Sequence, residues 1–174
     1  SAFVANDSTS IHQRFNAIVL EAIGKCGTAP NLRNLAAVST YKPTDTLLLE
    51  GQCRAIYRFG QRNITDSMAT ARMIEYAGKE VIPESARLMA AHYLARTEKL
   101  APDSAQAVQL AAAFVRSMNP DIRMALATAL GKSKSGPAFG ILSKVINTES
   151  DWRVKCNIIN AIRLGFLFFS PVVQ

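Results

Sequence analysis

A segment of ten to twelve residues recurs five times along the chain, at spacings of 32 to 36 residues. The clearest pair is 120–131 and 152–163, in which Arg123 aligns with Lys155. The five copies are 15–24, 51–60, 85–95, 120–131 and 152–163. A repeat of this period indicates a supersecondary unit that stacks on copies of itself, because one unit alone cannot bury its apolar face.

Each copy follows a looser stretch with helical spacing, so the repeating unit is predicted to be a pair of helices. The first helices of the pairs are predicted at 31–38, 66–76, 104–117 and 137–146. The second helices are expected to start at Asp45, Pro83 and Asp121, each as an N-cap or first-turn residue. Three copies end in glycine, which predicts a left-handed turn closing the helix. The 26 alanines, against 7 prolines and 9 glycines, also favour packed helices over short strands.

The period and the residue pattern resemble the HEAT repeat, in the short form also found in phycobilisome lyases. That motif has an acidic residue, a β-branched residue, Arg, two small residues and Ala-Leu-Gly, and it matches best at 121–131 and 151–162. The resemblance implies an all-α, armadillo-type fold, namely a right-handed α-α superhelix (a HEAT-like solenoid) of about four to five helix pairs. It implies one domain over 1–174, with repeats at about 11–27, 29–62, 65–98, 104–132 and 135–164.

Two stretches, 20–27 and 151–157, also resemble the helical-repeat portion of bacterial cyclophilin-type peptidyl-prolyl isomerases. None of a cyclophilin β-barrel occurs in the sequence, so isomerase activity would belong to another part of a larger parent protein. We expect the chain to be a fragment of such a parent, located in the cytoplasm or, if exported, in the periplasm. Phe166, Phe168 and Phe169 in the apolar C-terminal stretch are then expected to contact a missing neighbouring domain.

Patterns that carry enzyme chemistry are missing from the sequence. The two histidines, His12 and His92, lack metal-ligand spacing, and no phosphate-binding loop or nucleophile elbow occurs. Without a C-x-x-C pair, the three cysteines are predicted to be small core residues: Cys26, Cys53 and Cys156. No stretch reaches the roughly 18 apolar residues of a membrane span. The sequence therefore predicts no cofactor, no metal and no membrane span, and it favours a non-catalytic role while leaving enzyme activity open.

Acidic and basic residues occur together near the starts of the second helices, in the pairs Glu84/Arg87, Asp121/Arg123 and Asp151/Lys155. Each acid is expected to cap its helix, and each base to pair with an acid one repeat away; a charged track for a partner is the alternative. Trp152, the only tryptophan, is expected to pack in the turn of the last helix pair, with a binding anchor as the alternative.

The surface positions of the second helices are expected to form two ladders that cross the repeats on a concave face. The first ladder is Glu21, Tyr57, His92, Thr128 and Asn160. The second ladder is Ile18, Arg54, Met89, Ala125 and Asn157. From these ladders the predicted partner-binding residues are Arg54, Tyr57, Met89, His92, Asn157 and Asn160. Their mixture of aromatic and cationic side chains is typical of protein interfaces, and an ordinary solvated surface is the alternative.

The leading functional hypothesis is a non-catalytic protein-interaction scaffold whose partner is a protein or peptide. Its rivals use the same face: a nucleic-acid-binding module, as in HEAT-like-repeat alkylpurine DNA glycosylases, or a chromophore-lyase-type enzyme. A stripe of Arg54, Arg58 and Arg62 supports the nucleic-acid hypothesis. The net charge of only +7 and the nearby Glu50 and Asp66 argue against it, because a surface that tracks DNA recruits many more cations.

Overall fold

The computed structural model describes residues 10–98, 100, 102–133 and 135–169, and their side chains from His12 to Leu164. These residues form nine α-helices and no strand, which confirms the predicted all-α class for this part of the chain. The helices are α1 (Ser10–Cys26), α2 (Ala29–Ala37), α3 (Thr46–Gln61), α4 (Ser67–Gly78), α5 (Glu84–Arg96), α6 (Ser104–Arg116), α7 (Pro120–Lys132), α8 (Gly136–Val145) and α9 (Trp152–Phe169).

The helices are arranged in two layers. Each odd-numbered helix packs against the next odd-numbered helix, from α1 through to α9. The even-numbered helices pack against one another in the same order, and each also contacts the odd-numbered helix that follows it. Every helix pair therefore contacts the next pair along the chain, which is compatible with a helical-repeat superhelix.

The first helices of the pairs occur where the hydrophobic spacing predicts them, as α2, α4, α6 and α8, with ends displaced by at most two residues. The helices α3 and α5 begin directly after Asp45 and Pro83, as predicted. Asp121 lies in the first turn of α7, also as predicted, and Asn119 caps this helix. The Oδ1 atom of Asn119 accepts hydrogen bonds from the backbone N of Asp121 and Ile122 at 2.8 and 3.1 Å.

The glycines at the ends of the repeated segments do not form left-handed turns, so that prediction was wrong. No glycine among the described residues has a positive φ. Gly24 and Gly131 lie inside α1 and α7, where a Cβ atom would come within 2.5 Å of the Cα of Ala55 and 2.7 Å of the Cα of Ala161, respectively. These glycines allow neighbouring odd-numbered helices to approach each other closely.

A left-handed turn does close α3, two residues beyond its end. Asn63 has φ 57°, and its backbone N donates to the carbonyl of Gly60 at 3.0 Å. The backbone N of Ile64 donates to the carbonyl of Phe59, also at 3.0 Å. This is the double hydrogen bond of a Schellman motif, with asparagine at the position that glycine usually takes.

Two predictions about single residues were wrong. Of the three cysteines expected in the core, only Cys53 is buried, whereas Cys26 and Cys156 are exposed. Trp152 is the first residue of α9 and is 72% exposed. The turn before α9 is filled instead by Glu149, which is buried and accepts a hydrogen bond from the backbone N of Asp151 at 2.9 Å.

Charged and polar side chains connect the N-terminal ends of successive odd-numbered helices. Asp121 of α7 pairs with Arg153 of α9 at 3.5 Å. The expected link between repeats is therefore present here, although its base is Arg153 rather than Lys155. One repeat earlier, the Nδ2 atom of Asn119 donates to Glu84 of α5 at 2.9 Å.

Candidate functional site

Eight of the ten ladder residues reach the surface of the odd-numbered helices. They are Ile18, Glu21, Arg54, Met89, His92, Thr128, Asn157 and Asn160. We call the surface that they form the ladder face. The other two ladder residues, Tyr57 and Ala125, are buried, with 9% and 6% exposure.

Tyr57 was predicted to bind a partner, but its ring lies within a contact between α3 and α5. The guanidinium of Arg96 stacks over the ring at 5.8 Å from its centroid, and Nη1 of Arg96 donates to the phenol oxygen. The Nε2 atom of Gln61 donates to the same oxygen at 3.2 Å. Tyr57 therefore joins two repeats and is not available as an anchor for a partner.

A cleft of about 460 Å³ opens on the ladder face above α7. We call it the α7 cleft. His92 and Arg96 of α5 line one side, Asn157 of α9 lines the other, and Ala125 and Thr128 of α7 lie between them. The structure thus brings together His92 and Asn157, two of the predicted partner-binding residues.

The α7 cleft exists because α7 carries small side chains at its ladder positions. At the equivalent positions of α3 stand Arg54 and Tyr57, whereas α7 has Ala125 and Thr128. Side chains at these positions project from the same side of the odd-numbered helices. Two short side chains in a row therefore leave a depression between α5 and α9, of a size typical of binding sites.

The two ends of the α7 cleft carry opposite charges. The helices α5 and α7 run in the same direction, because Glu84 and Asn119 meet at their N-terminal ends and Lys132 of α7 donates to the carbonyl of Thr97, just beyond the end of α5, at 3.3 Å. Asp121 lies in the first turn of α7, and Arg96 is the last residue of α5. The acid and the base therefore line opposite ends of the cleft.

His92 lies in the α7 cleft between these two charges. Burial lowers the pKa of its imidazole, and the nearby Arg96 lowers it further, while Asp121 raises it and only partly offsets them. The lowered pKa favours the uncharged imidazole at neutral pH. In that form His92 contributes a polar ring to the cleft without adding a charge.

Thr128 and Asn157 form a hydrogen bond with each other within the cleft. The hydroxyl of Thr128 donates to Oδ1 of Asn157 at 3.0 Å, and Nδ2 of Asn157 donates to the carbonyl of Arg153 at 3.0 Å. The amide group of Asn157 is therefore oriented by the fold before any ligand binds.

A second, smaller cleft of about 340 Å³ opens on the ladder face between α1 and α3. Its lining includes Ile18 and the charged residues Arg14, Glu21, Glu50 and Arg54, so acidic and basic groups alternate around it. This cleft contains Arg54, another predicted partner-binding residue. Both clefts thus belong to the same face of the odd-numbered layer.

The remaining predicted residues lie outside the two clefts. Met89 is partly buried against the core and Asn160 is exposed, and neither lines a cleft. The predicted contact of Phe166, Phe168 and Phe169 lies outside the described side chains.

Asp121 and Arg96 also line the α7 cleft, although neither was among the predicted partner-binding residues. Asp121 was expected to cap its helix, with a charged track for a partner as the alternative, and Arg96 lies one position beyond the aligned segment 85–95. A signal for Arg96 was present, because His92 and Arg96 are four residues apart and so share one side of a helix.

The three arginines of the predicted stripe make contacts within the chain. Arg54 approaches Glu50 at 3.9 Å, and Arg58 approaches Glu21 of α1 at 3.8 Å. Arg62 donates hydrogen bonds to the backbone carbonyls of Gly24 and Gly27, at 3.1 and 2.8 Å. Arg58 and Arg62 therefore link α3 to α1 and the residue just beyond it, whereas Arg54 has its ion pair within α3.

Within the described residues, no three His, Cys, Asp or Glu side chains are grouped so that they could hold a metal ion. In the same part of the chain, no helix is both long enough and apolar enough to cross a membrane. Comparison of the chain with protein-family models, curated proteins and solved structures gives no match.

Proposed function

We propose that this chain is a non-catalytic scaffold of HEAT-like repeats that binds a protein partner through its ladder face. The observation that carries the proposal is that both clefts open on this face, at positions where the repeat itself places exposed side chains. Repeat proteins present such surfaces to long partner segments, since each repeat adds one rung to the same face.

The chemistry of the α7 cleft supports a protein as the partner. Its lining combines the apolar side chains of Leu88 and Met124 with the polar groups of His92, Thr128 and Asn157. Such a mixture suits a polypeptide, which brings apolar side chains and backbone hydrogen-bonding groups together. As an accessory domain in a larger parent, the scaffold would hold a polypeptide near a peptidyl-prolyl isomerase domain.

The proposal is tested by selecting binders from a displayed library of random peptides on the intact chain. The affinities of selected peptides are then measured by fluorescence anisotropy for the unmodified chain and for two variants. Thr128→Arg places a long cation on the ladder face, whereas Val115→Arg makes the same change on α6, at a side chain that is 58% exposed. Circular dichroism and thermal unfolding check that both variants remain folded.

We expect Thr128→Arg to weaken binding at least about tenfold, equivalent to about 1.4 kcal/mol, and Val115→Arg to leave it unchanged. Selected peptides that are equally sensitive to both changes, or insensitive to both, would contradict a ladder-face site. Failure to select any peptide above the background of the bare support would contradict the function itself.

A further inference from the structure

We propose that the α7 cleft is a charge-polarised groove for a short linear peptide segment. The segment carries a basic side chain at the Asp121 end, an acidic side chain at the Arg96 end, and apolar side chains between them. This inference rests on the proposed protein-binding function and specifies the ligand chemistry of one part of the ladder face.

The charge arrangement of the groove selects such a segment. Asp121 keeps half of its side chain exposed, and its ion pair with Arg153 is long at 3.5 Å, so its carboxylate can accept further hydrogen bonds. Arg96 donates to Tyr57 through Nη1, and a guanidinium has further N–H groups that can bind a carboxylate. A segment with the opposite order of charges would place like charges together at both ends.

Between its charged ends the groove also contains apolar side chains that can pack against aliphatic groups of a ligand. Ala95 and Ala125 leave space beside the side chains of Leu88 and Met124. Burying aliphatic groups of a ligand there removes apolar surface from water, which supplies affinity that the exposed charges alone do not. The charges at the ends then set the orientation of the segment.

The dimensions of the groove set the length of the segment. The α7 residues that line the groove run from Asp121 to Thr128, seven residues or about 10 Å along the helix axis. An extended peptide advances about 3.3 Å per residue, so about three residues span this distance. The base and the acid of the segment should therefore be separated by two apolar residues.

The test uses fluorescein-labelled peptides in which a variable core is flanked by Gly-Ser on both sides. The cores are Lys-Leu-Leu-Glu, Gln-Leu-Leu-Glu, Lys-Leu-Leu-Gln and Gln-Leu-Leu-Gln. Each is titrated by anisotropy against the intact chain and against Asp121→Asn and Arg96→Gln. The matched controls are Glu80→Gln and Arg116→Gln, exposed charged residues that line neither cleft.

We expect Lys-Leu-Leu-Glu to bind most tightly. Asp121→Asn should weaken the binding of peptides that contain Lys about threefold to tenfold and leave the binding of their Gln counterparts unchanged. Arg96→Gln should have the same effect on the binding of peptides that contain Glu. The control variants should bind all four peptides with the same affinity as the unmodified chain. This pairing of one protein charge with one peptide charge is specific to the proposed orientation.

The proposal is overturned if affinity does not depend on the peptide charges, or if the cleft variants and the control variants behave alike. It is also overturned if Lys-Leu-Leu-Glu shows no binding at about 1 mM peptide. If library-selected peptides still depend on the ladder face in either case, the scaffold function stands and only the polarised groove is rejected.

Discussion

Arg123 of α7 donates two hydrogen bonds to the carboxylate of Glu149, the residue that fills the turn before α9. The bonds measure 3.1 Å from Nε and 2.9 Å from Nη2, and the two side chains are only 18% and 5% exposed. The same guanidinium donates through Nη1 to the carbonyls of Ser117 and Met118, at the end of α6, at 3.2 Å each. The Arg123 side chain thus joins the C-terminal end of α6, the first helix of its own pair, to the turn before α9 in the next pair.

Gln52 makes the same connection two repeats earlier, at the equivalent position of α3. Its Nε2 atom donates to the carbonyls of Leu35 and Val38, at the end of α2, at 2.8 and 2.9 Å. Its Oε1 atom accepts a hydrogen bond from the hydroxyl of Tyr76, in the next pair, at 2.9 Å. These two repeats therefore make a similar link although the side chain changes from amide to guanidinium.

Replacing Arg123 with Met should destabilise the chain strongly. The change leaves the buried carboxylate of Glu149 without its cation and the carbonyls at the end of α6 without a donor. We expect the free energy of unfolding to fall by about 3 kcal/mol. Urea denaturation followed by circular dichroism measures this loss.

Arg87 provides the matched control, since it occupies the equivalent position of α5. Its Nε atom is buried and has no hydrogen-bond partner in the described part of the chain. Arg87→Met removes no hydrogen bond at Nε and should change the stability by less than about 1 kcal/mol. Equal losses for the two variants would show that the link through Glu149 is not the source of the stability.

Close helix packing at Gly131 predicts a large effect of a single methyl group. A Cβ atom there would meet the Cα and Cβ of Ala161 at 2.7 Å, so α9 must move. We expect Gly131→Ala to lower the free energy of unfolding by about 2–3 kcal/mol. Gly140→Ala in α8 is the control, because its Cβ meets nothing within 4 Å, and it should stabilise by about 0.5–1 kcal/mol. Stabilisation by both changes, measured by denaturant unfolding, would contradict the packing argument.

The helical repeat was predictable because it depends on spacing along the chain, which the sequence states directly. The role of Gly131 was not, since it depends on Ala161, thirty residues away in the next helix pair. For the same reason the ladder spacing predicted that His92 and Asn157 share a face, but not that Tyr57 is covered by Arg96. Periodicity determines which side of a helix a residue is on, whereas its exposure depends on its neighbour in the next repeat.

The three cysteines should differ sharply in their reaction with a thiol reagent. Cys26 and Cys156 are exposed, whereas burial, assisted by the nearby Glu50, raises the pKa of the Cys53 thiol. Titration with Ellman's reagent should label two thiols rapidly in the folded chain and the third only after unfolding. Cys26→Ser and Cys156→Ser should each remove one rapid thiol, and rapid labelling of a third thiol would contradict the burial of Cys53.

The indole ring of Trp152 should be accessible to quenchers in the solvent even in the folded chain. Because its side chain is 72% exposed, iodide should quench its fluorescence nearly as well as it quenches free N-acetyltryptophanamide. Its emission maximum should shift little on unfolding. Trp152→Ala should change the free energy of unfolding by less than about 0.5 kcal/mol, as is usual for an exposed side chain. A blue-shifted, protected emission would instead indicate a packed ring.

His92 should make the folded chain less stable in mild acid. Its pKa in the folded chain lies below the ordinary value of about 6.5 that it has when unfolded, because burial and Arg96 disfavour the charged ring and Asp121 only partly compensates. Between these two pKa values the unfolded chain binds more protons, so the free energy of unfolding decreases as the pH falls through 6.5. His92→Gln removes this contribution and should reduce the loss of stability between about pH 7.5 and pH 5. An NMR titration of the imidazole gives the sign directly, and a midpoint at or above about 6.5 in the folded chain would contradict the prediction.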